Sequence, residues 1–168
     1  MDVDLFALTP ADLERIARTE GGPAWKSDPA VWAHRLDDQN DGRRKILVAR
    51  SGEAVFAYGH LDLRPPYPPF ADRGIPAICD LVVAENTRRK GLATRLIAAF
   101  EDMARERACP AIGIGVGLYA AYGPAQRLYV KLGYMPNGRG ITHGDDPVVP
   151  GRTYRVDDDL VLWLTKPL

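Results

Sequence analysis

Between positions 77 and 104 an apolar strand pattern, a basic glycine-containing loop and an amphipathic helix pattern follow one another without a break. Ala77-Ile78-Cys79-Asp80-Leu81-Val82-Val83 is apolar and rich in β-branched residues, and reads as a buried strand. Leu92, Leu96, Ile97, Phe100, Met103 and Ala104 recur at helical spacing, with Arg95, Glu101, Asp102 and Arg105 on the other side. The connection is Arg88-Arg89-Lys90-Gly91-Leu92-Ala93-Thr94. The first amides of a helix have no intrahelical partner, and the helix dipole adds to their attraction for anions. Gly91 and Ala93 keep side chains away from a phosphate resting on that backbone. The order strand, basic loop, helix therefore implies a cradle for a pyrophosphate. The backbone amides do the cradling; of the side chains of Arg88, Arg89 and Lys90, that of Arg88 is expected to touch the ligand.

Spacing narrows the choice of ligand. A Walker A loop requires G-x-x-x-x-G-K-[ST], which the chain lacks, and the dinucleotide fingerprint G-x-G-x-x-G is missing from the loop. Gly113-Ile114-Gly115-Val116-Gly117 echoes that fingerprint but lies inside an apolar run, with no third glycine in register. Arg88, Gly91 and Ala93 instead fill an R/Q-x-x-G-x-G/A pattern. Further on, Pro124-Ala125-Gln126-Arg127-Leu128-Tyr129-Val130-Lys131-Leu132-Gly133-Tyr134 follows A-x-x-L-Y-x-K-x-G-F/Y. Pro124 suits the first turn of a helix, Gly133 its C-terminal cap, and Tyr134 the opening of the next strand. Both segments resemble the GNAT superfamily of N-acetyltransferases, and the second follows an apolar run, Ala111 to Val116, as it does in that family. Where the family often carries Asn near the start of this helix, the chain has Tyr122.

The resemblance implies a single domain over residues 1–168, of α/β (α+β) class. Its GNAT-like architecture would be a mixed, mainly antiparallel central sheet flanked by helices and splayed at the acetyl-CoA site. It implies an acyltransferase that takes acetyl-CoA as cosubstrate and moves the acetyl group directly to a primary amine, with no covalent enzyme intermediate. Leu81, Val82 and Val83 would align the pantetheine arm, and Arg88 to Thr94 (Arg88, Arg89, Lys90, Gly91, Leu92, Ala93, Thr94) the pyrophosphate. A backbone N–H of that strand could polarise the acyl carbonyl. Tyr129 occupies the family's general-acid position; a tyrosine hydroxyl ordinarily ionises near pH 10 and so carries a proton to give at neutral pH. By helical spacing alone, Tyr129 reads as a core residue packing with Ala125 and Leu132, and it is the motif that turns the reading to the general acid. Asp80 is the candidate base, directly or through water, against a structural role as hydrogen-bond acceptor. Cys79 beside it reads as a buried apolar cysteine.

Composition removes other classes of function. Acidic and basic residues number 22 each in 168, so no overall field argues for nucleic acid or membrane. Cys79 and Cys109 form neither a disulfide framework nor a C-x-x-C knuckle, and His34, His60 and His143 lack metal-ligand spacing, so no metal is expected. With no secretory h-region and no apolar run near 18 residues, the expected compartment is cytoplasmic. Homodimerisation is common in the family resembled.

The remaining pattern alternates. A strand is expected from Asp4 to Leu8, a helix after Thr9-Pro10, a second helix from Pro29 to Leu36, and two antiparallel strands, Lys45 to Ala49 and Ala54 to Leu63, around Ser51-Gly52. Arg64 to Arg73, with its prolines, is expected as an exposed loop, Asn137 to Gly151 as a long loop, and Tyr154 to Thr165 as the last strand. By resemblance, the segments expected to meet the acceptor carry Trp25, Tyr67, Phe70 and His143. Aromatics with a few carboxylates suit a cationic amine, an amino-sugar, polyamine, amino acid or protein lysine, and a small-molecule amine is the first reading. A peptide or protein amine, and a non-catalytic acyl-CoA-binding module, are the alternatives.

Overall fold

A computed structural model describes residues 2–168. The elements run β1 (Asp4–Ala7), α1 (Pro10–Arg18), α2 (Pro29–Asn40), β2 (Arg44–Ser51), β3 (Ala54–Asp62), α3 (Pro68–Ala71), β4 (Ala77–Val83), α4 (Leu92–Glu106), β5 (Ala111–Gly117), α5 (Gly123–Lys131), β6 (Met135–His143), β7 (Asp146–Pro147) and β8 (Leu160–Pro167). It is a mixed α/β fold, mainly antiparallel in its strands and flanked by helices. The chain forms two compact units: the segment up to Leu63 with Ile78–Met103, and Arg64–Ala77 with Ala104–Leu168.

In the first unit β1, β2, β3 and β4 are neighbours in that order, with β1–β2 and β2–β3 antiparallel. Period-two alternation sends Ile46, Val48 and Tyr58 to the face covered by α1 and α2, where they pack with Leu8, Ile16 and Trp32. The opposite face is tight: a Cβ on Gly59 would lie 3.0 Å from Leu81 and 3.3 Å from Phe100 of α4. Helix α1 is anchored at its start by Asp12, fully buried, whose carboxylate accepts from the Thr9 amide (2.9 Å) and hydroxyl (2.6 Å) and pairs with Arg15.

In the second unit β8 lies between β5 and β6 and is antiparallel to both, while β7 turns back on β6. Gly113, Gly115 and Gly117 share one face of β5, and each leaves room for a ring. An added Cβ would lie 2.2 Å from Phe70, 3.1 Å from Trp163 and 2.4 Å from Tyr122 respectively. The nucleotide-like glycine pattern is thus a packing stripe.

Four expectations need correction. The last strand begins at Leu160 rather than Tyr154, and Cys79 is partly exposed rather than buried. Arg64 to Arg73 is not an exposed loop throughout. Pro68-Pro69 start the short α3, because proline is tolerated in a helix's first turn, and Tyr67 and Phe70 are each 1% exposed. Asn137 to Gly151 is not a long loop either. Its first part belongs to β6, which pairs with β8 at Met135–Pro136 and again at Ile141–His143, and β7 closes a hairpin. Gly138, Gly140 and Gly144, all at positive φ, let the intervening backbone turn.

Candidate active site

The loop Arg88–Thr94 has the conformation its sequence requires. A short 3-10 turn, Glu85–Thr87, leaves β4, and Arg89 (φ 63°) and Gly91 (φ 80°) take left-handed backbone before α4 starts at Leu92. A Cβ on Gly91 would meet no atom within 4 Å, so the space above this turn is open. The Arg95 N–H donates to the Gly91 carbonyl at 3.0 Å, which leaves the amides ahead of it facing out of the helix end. Arg88, Arg89 and Lys90 are exposed; Arg88 donates to the Val83 carbonyl (3.4 Å) and lies 3.6 Å from Glu85. An exposed, cationic, open cradle at a helix N-terminus fits a pyrophosphate. Ala93 and Thr94 lie in the first turn of α4, and Leu81, Val82 and Val83 end β4, all partly buried except for Thr94, which is exposed. A cleft of the first unit lies between the end of α1 and the start of β3, lined by Arg15, Thr19, Glu53 and Phe56 and, at the turn after β4, by Ala84 and Asn86.

Asp80 departs from regular strand geometry. Its φ of 45° puts a left-handed residue inside β4, a conformation Asp tolerates better than β-branched neighbours would. Its carboxylate accepts from Lys26 Nζ at 3.0 Å and from Arg35 Nη2 of α2. Burial works to raise the Asp80 pKa, but Arg35, His60 and Lys26 outweigh it and hold the carboxyl below its ordinary value. His60, 4% exposed on β3, is pushed down to about 4, chiefly by burial. Tyr58 completes the group: its hydroxyl accepts from the Lys26 N–H at 2.8 Å, and burial, the main influence, raises its pKa. Lys26, Arg35, Tyr58 and His60 were missed in the sequence. Lys26 and Arg35 stand 54 and 45 positions from Asp80, and no local pattern links them. Trp25 packs edge-on against Tyr58, 4.7 Å between ring centres, and its Nε1–H donates to the Ile16 carbonyl.

In the second unit Tyr129 is 6% exposed near the end of α5, 6.3 Å from the Tyr134 ring. Leu132 caps that helix, and Gly133 turns the chain out at φ 92°. Tyr67 stacks on Trp163 (4.6 Å, 9° between planes) and its hydroxyl accepts from Asn137 at 2.9 Å; Phe70 packs edge-on to both rings. These contacts give Tyr67 and Phe70 a packing role. His143 of β6 stands 3.6 Å from Asp157, and one of its ring nitrogens lies within 4.8 Å of carboxylate oxygens of Asp157 and Asp159, a grouping spaced for a cation. Tyr119 and Tyr122 both donate to Asp158, at 2.5 and 2.9 Å.

The model of the acetyltransferase (GNAT) family matches residues 11–134. The chain belongs to the GNAT family. GNAT members are acyltransferases that use acetyl-CoA, and this chain's cosubstrate is acetyl-CoA. Solved GNAT-type structures share the fold along nearly the whole chain. The ribosomal-protein-alanine N-acetyltransferase of Brucella melitensis is 22% identical with a TM-score of 0.70, covering 98% of this chain and 99% of that one. An N-acetyltransferase of Staphylococcus aureus is 15% identical with a TM-score of 0.71, covering 99% of each chain. The PaiA N-acetyltransferase of Thermoplasma acidophilum, in complex with coenzyme A, is 11% identical with a TM-score of 0.66 and covers 100% of each. At these identities the likeness is one of fold. No curated protein sequence matches this GNAT chain significantly. Among the described residues no helix is long and apolar enough to cross a membrane.

Proposed function

We propose that this GNAT enzyme transfers the acetyl group directly to a primary amine of a small molecule. The observation that carries the reading is the phosphate loop, in which Gly91 at φ 80° opens space directly before the amides of α4. Acetyl-CoA supplies an acyl group already activated as a thioester. In this reading the amides at the start of α4 and the Arg88 side chain hold the pyrophosphate, and Leu81 to Val83 offer backbone groups to the pantetheine arm. Tyr129 holds a proton on its hydroxyl and gives it up as the acyl bond breaks. Asp80, already ion-paired twice and held below its ordinary pKa, is a weak proton acceptor. We therefore assign it to fixing Lys26 and Arg35, and the amine loses its proton to water. A peptide amine is the second reading, favoured by the named activity of the Brucella protein.

The test combines thermal stability with thiol release. A ligand that binds only the folded state at a hundredfold over its Kd stabilises it by about 2.7 kcal/mol. Acetyl-CoA should raise Tm clearly while ATP and NAD should not, and free amines should drive CoA release faster than peptides with the same amine. Faster release with peptides would replace the first reading by the second; no shift with acetyl-CoA would refute both.

A further inference from the structure

The group around Asp80 carries more positive charge than it balances. Lys26 and Arg35 bring two cations against one carboxylate, and His60, neutral at physiological pH because it is buried, adds none. Arg44, the other nearby cation, is engaged by Asp38 (3.4 Å) and Asp62 (3.7 Å). The surplus has an address. The Arg35 side chain is only 6% exposed; Nη2 is used on Asp80, and its guanidinium lies 4.7 Å over the Trp32 ring. Its Nη1 is shut off from water and makes no hydrogen bond of ordinary geometry among the described residues, the Tyr58 hydroxyl being the polar group that the Arg35 side chain faces. A buried cationic donor without a partner costs free energy, and native structures retain such groups where something else satisfies them.

Two further donors stand beside it. Tyr58 accepts from the Lys26 backbone, and the hydroxyl proton remains to be donated. Lys26 Nζ commits one N–H to Asp80 while its side chain stays half exposed, so the group is open to solvent along that edge. A guanidinium with one free Nη, a phenol and an ammonium, with one net positive charge, suit one singly charged oxyanion. A dianionic phosphate would overcompensate the charge, and a polyamine would be repelled.

We propose that Arg35, Tyr58 and Lys26 bind the carboxylate of the acceptor, which makes the acceptor an amino acid. The assignment rests on the acetyltransferase reading above. Asp80 is then a positioning residue: it holds Arg35 and Lys26 at the spacing the carboxylate needs, one residue from the strand end assigned to the pantetheine arm.

The test is CoA release by the full chain with acetyl-CoA and two acceptor pools, the standard amino acids and the same amino acids as carboxamides. Amidation removes the anion and leaves the amine more easily deprotonated, so chemistry alone would favour the amides. The expected result is release at least about tenfold faster with the acids, the scale of one charge-assisted hydrogen bond. Arg35→Gln should erase that preference while acetyl-CoA still raises Tm. If Arg35→Gln does not fold, Lys26→Gln, at a half-exposed position, should reduce the preference. Equal or faster release with the amides, or no release from either pool beside a normal acetyl-CoA shift, overturns the amino-acid assignment and leaves the cosubstrate reading standing. No release and no acetyl-CoA shift overturns both.

Discussion

Tyr129 meets the first demand on a proton donor, which is to be held in one place. It is 6% exposed, and its carbonyl accepts from the amides of Leu132 and Tyr134, tying the residue to the turn that closes α5. Phenylalanine would keep the ring and lose only the hydroxyl. Tyr129→Phe should therefore lower kcat by about a hundredfold, within the usual range for a general acid, and leave the Tm shift with acetyl-CoA unchanged. Unchanged kcat would return Tyr129 to the packing role that its helical spacing also allows. Asp80 could be singled out from the sequence because it interrupts an apolar strand, but its partners could not. Lys26 sits in a loop and Arg35 on a helix whose pattern gives no reason to turn an arginine inward. Only the tertiary contact defines what Asp80 does.

At the level of elements, the segments read best from sequence are those whose punctuation and periodicity agree. β4, α4, β5 and α5 stand within a residue or two of where the alternation, Gly91, Pro124 and Gly133 place them. The failures have the opposite character. Proline in Arg64 to Arg73 forbids a ladder but not a single helical turn, and that turn delivers Tyr67 and Phe70 into the second unit's core. Glycines in Asn137 to Gly151 mark where β6 leaves its ladder and rejoins it, which reads locally as a loop. The β5 glycine stripe gives a sharp check. A methyl at position 113 would meet the Phe70 ring at 2.2 Å, so Gly113→Ala should cost about 1–3 kcal/mol in denaturant unfolding. A neutral result would mean that Phe70 can move aside and that the stripe does not define the packing.

At the scale of the whole molecule, acid stability should carry the mark of His60. Its folded pKa, about 4, lies below the unfolded value near 6.5, so between them the unfolded chain binds the extra proton. The contribution is complete above pH 6.5 and is lost as pH falls toward 4, by up to about 3 kcal/mol. His60→Gln should flatten the fall in unfolding free energy across that window, while the loss below pH 4, where Asp80 protonates, should remain; an unchanged slope would refute the assignment to His60. The division into two units has a consequence for synthesis. Every residue of the first unit has left the ribosome once Met103 has emerged, when the second unit consists of Arg64–Ala77 alone. The Arg88–Thr94 loop and the Arg35 group thus emerge before α5 does, and the nascent chain can bury the first unit's core before Tyr129 leaves the ribosome.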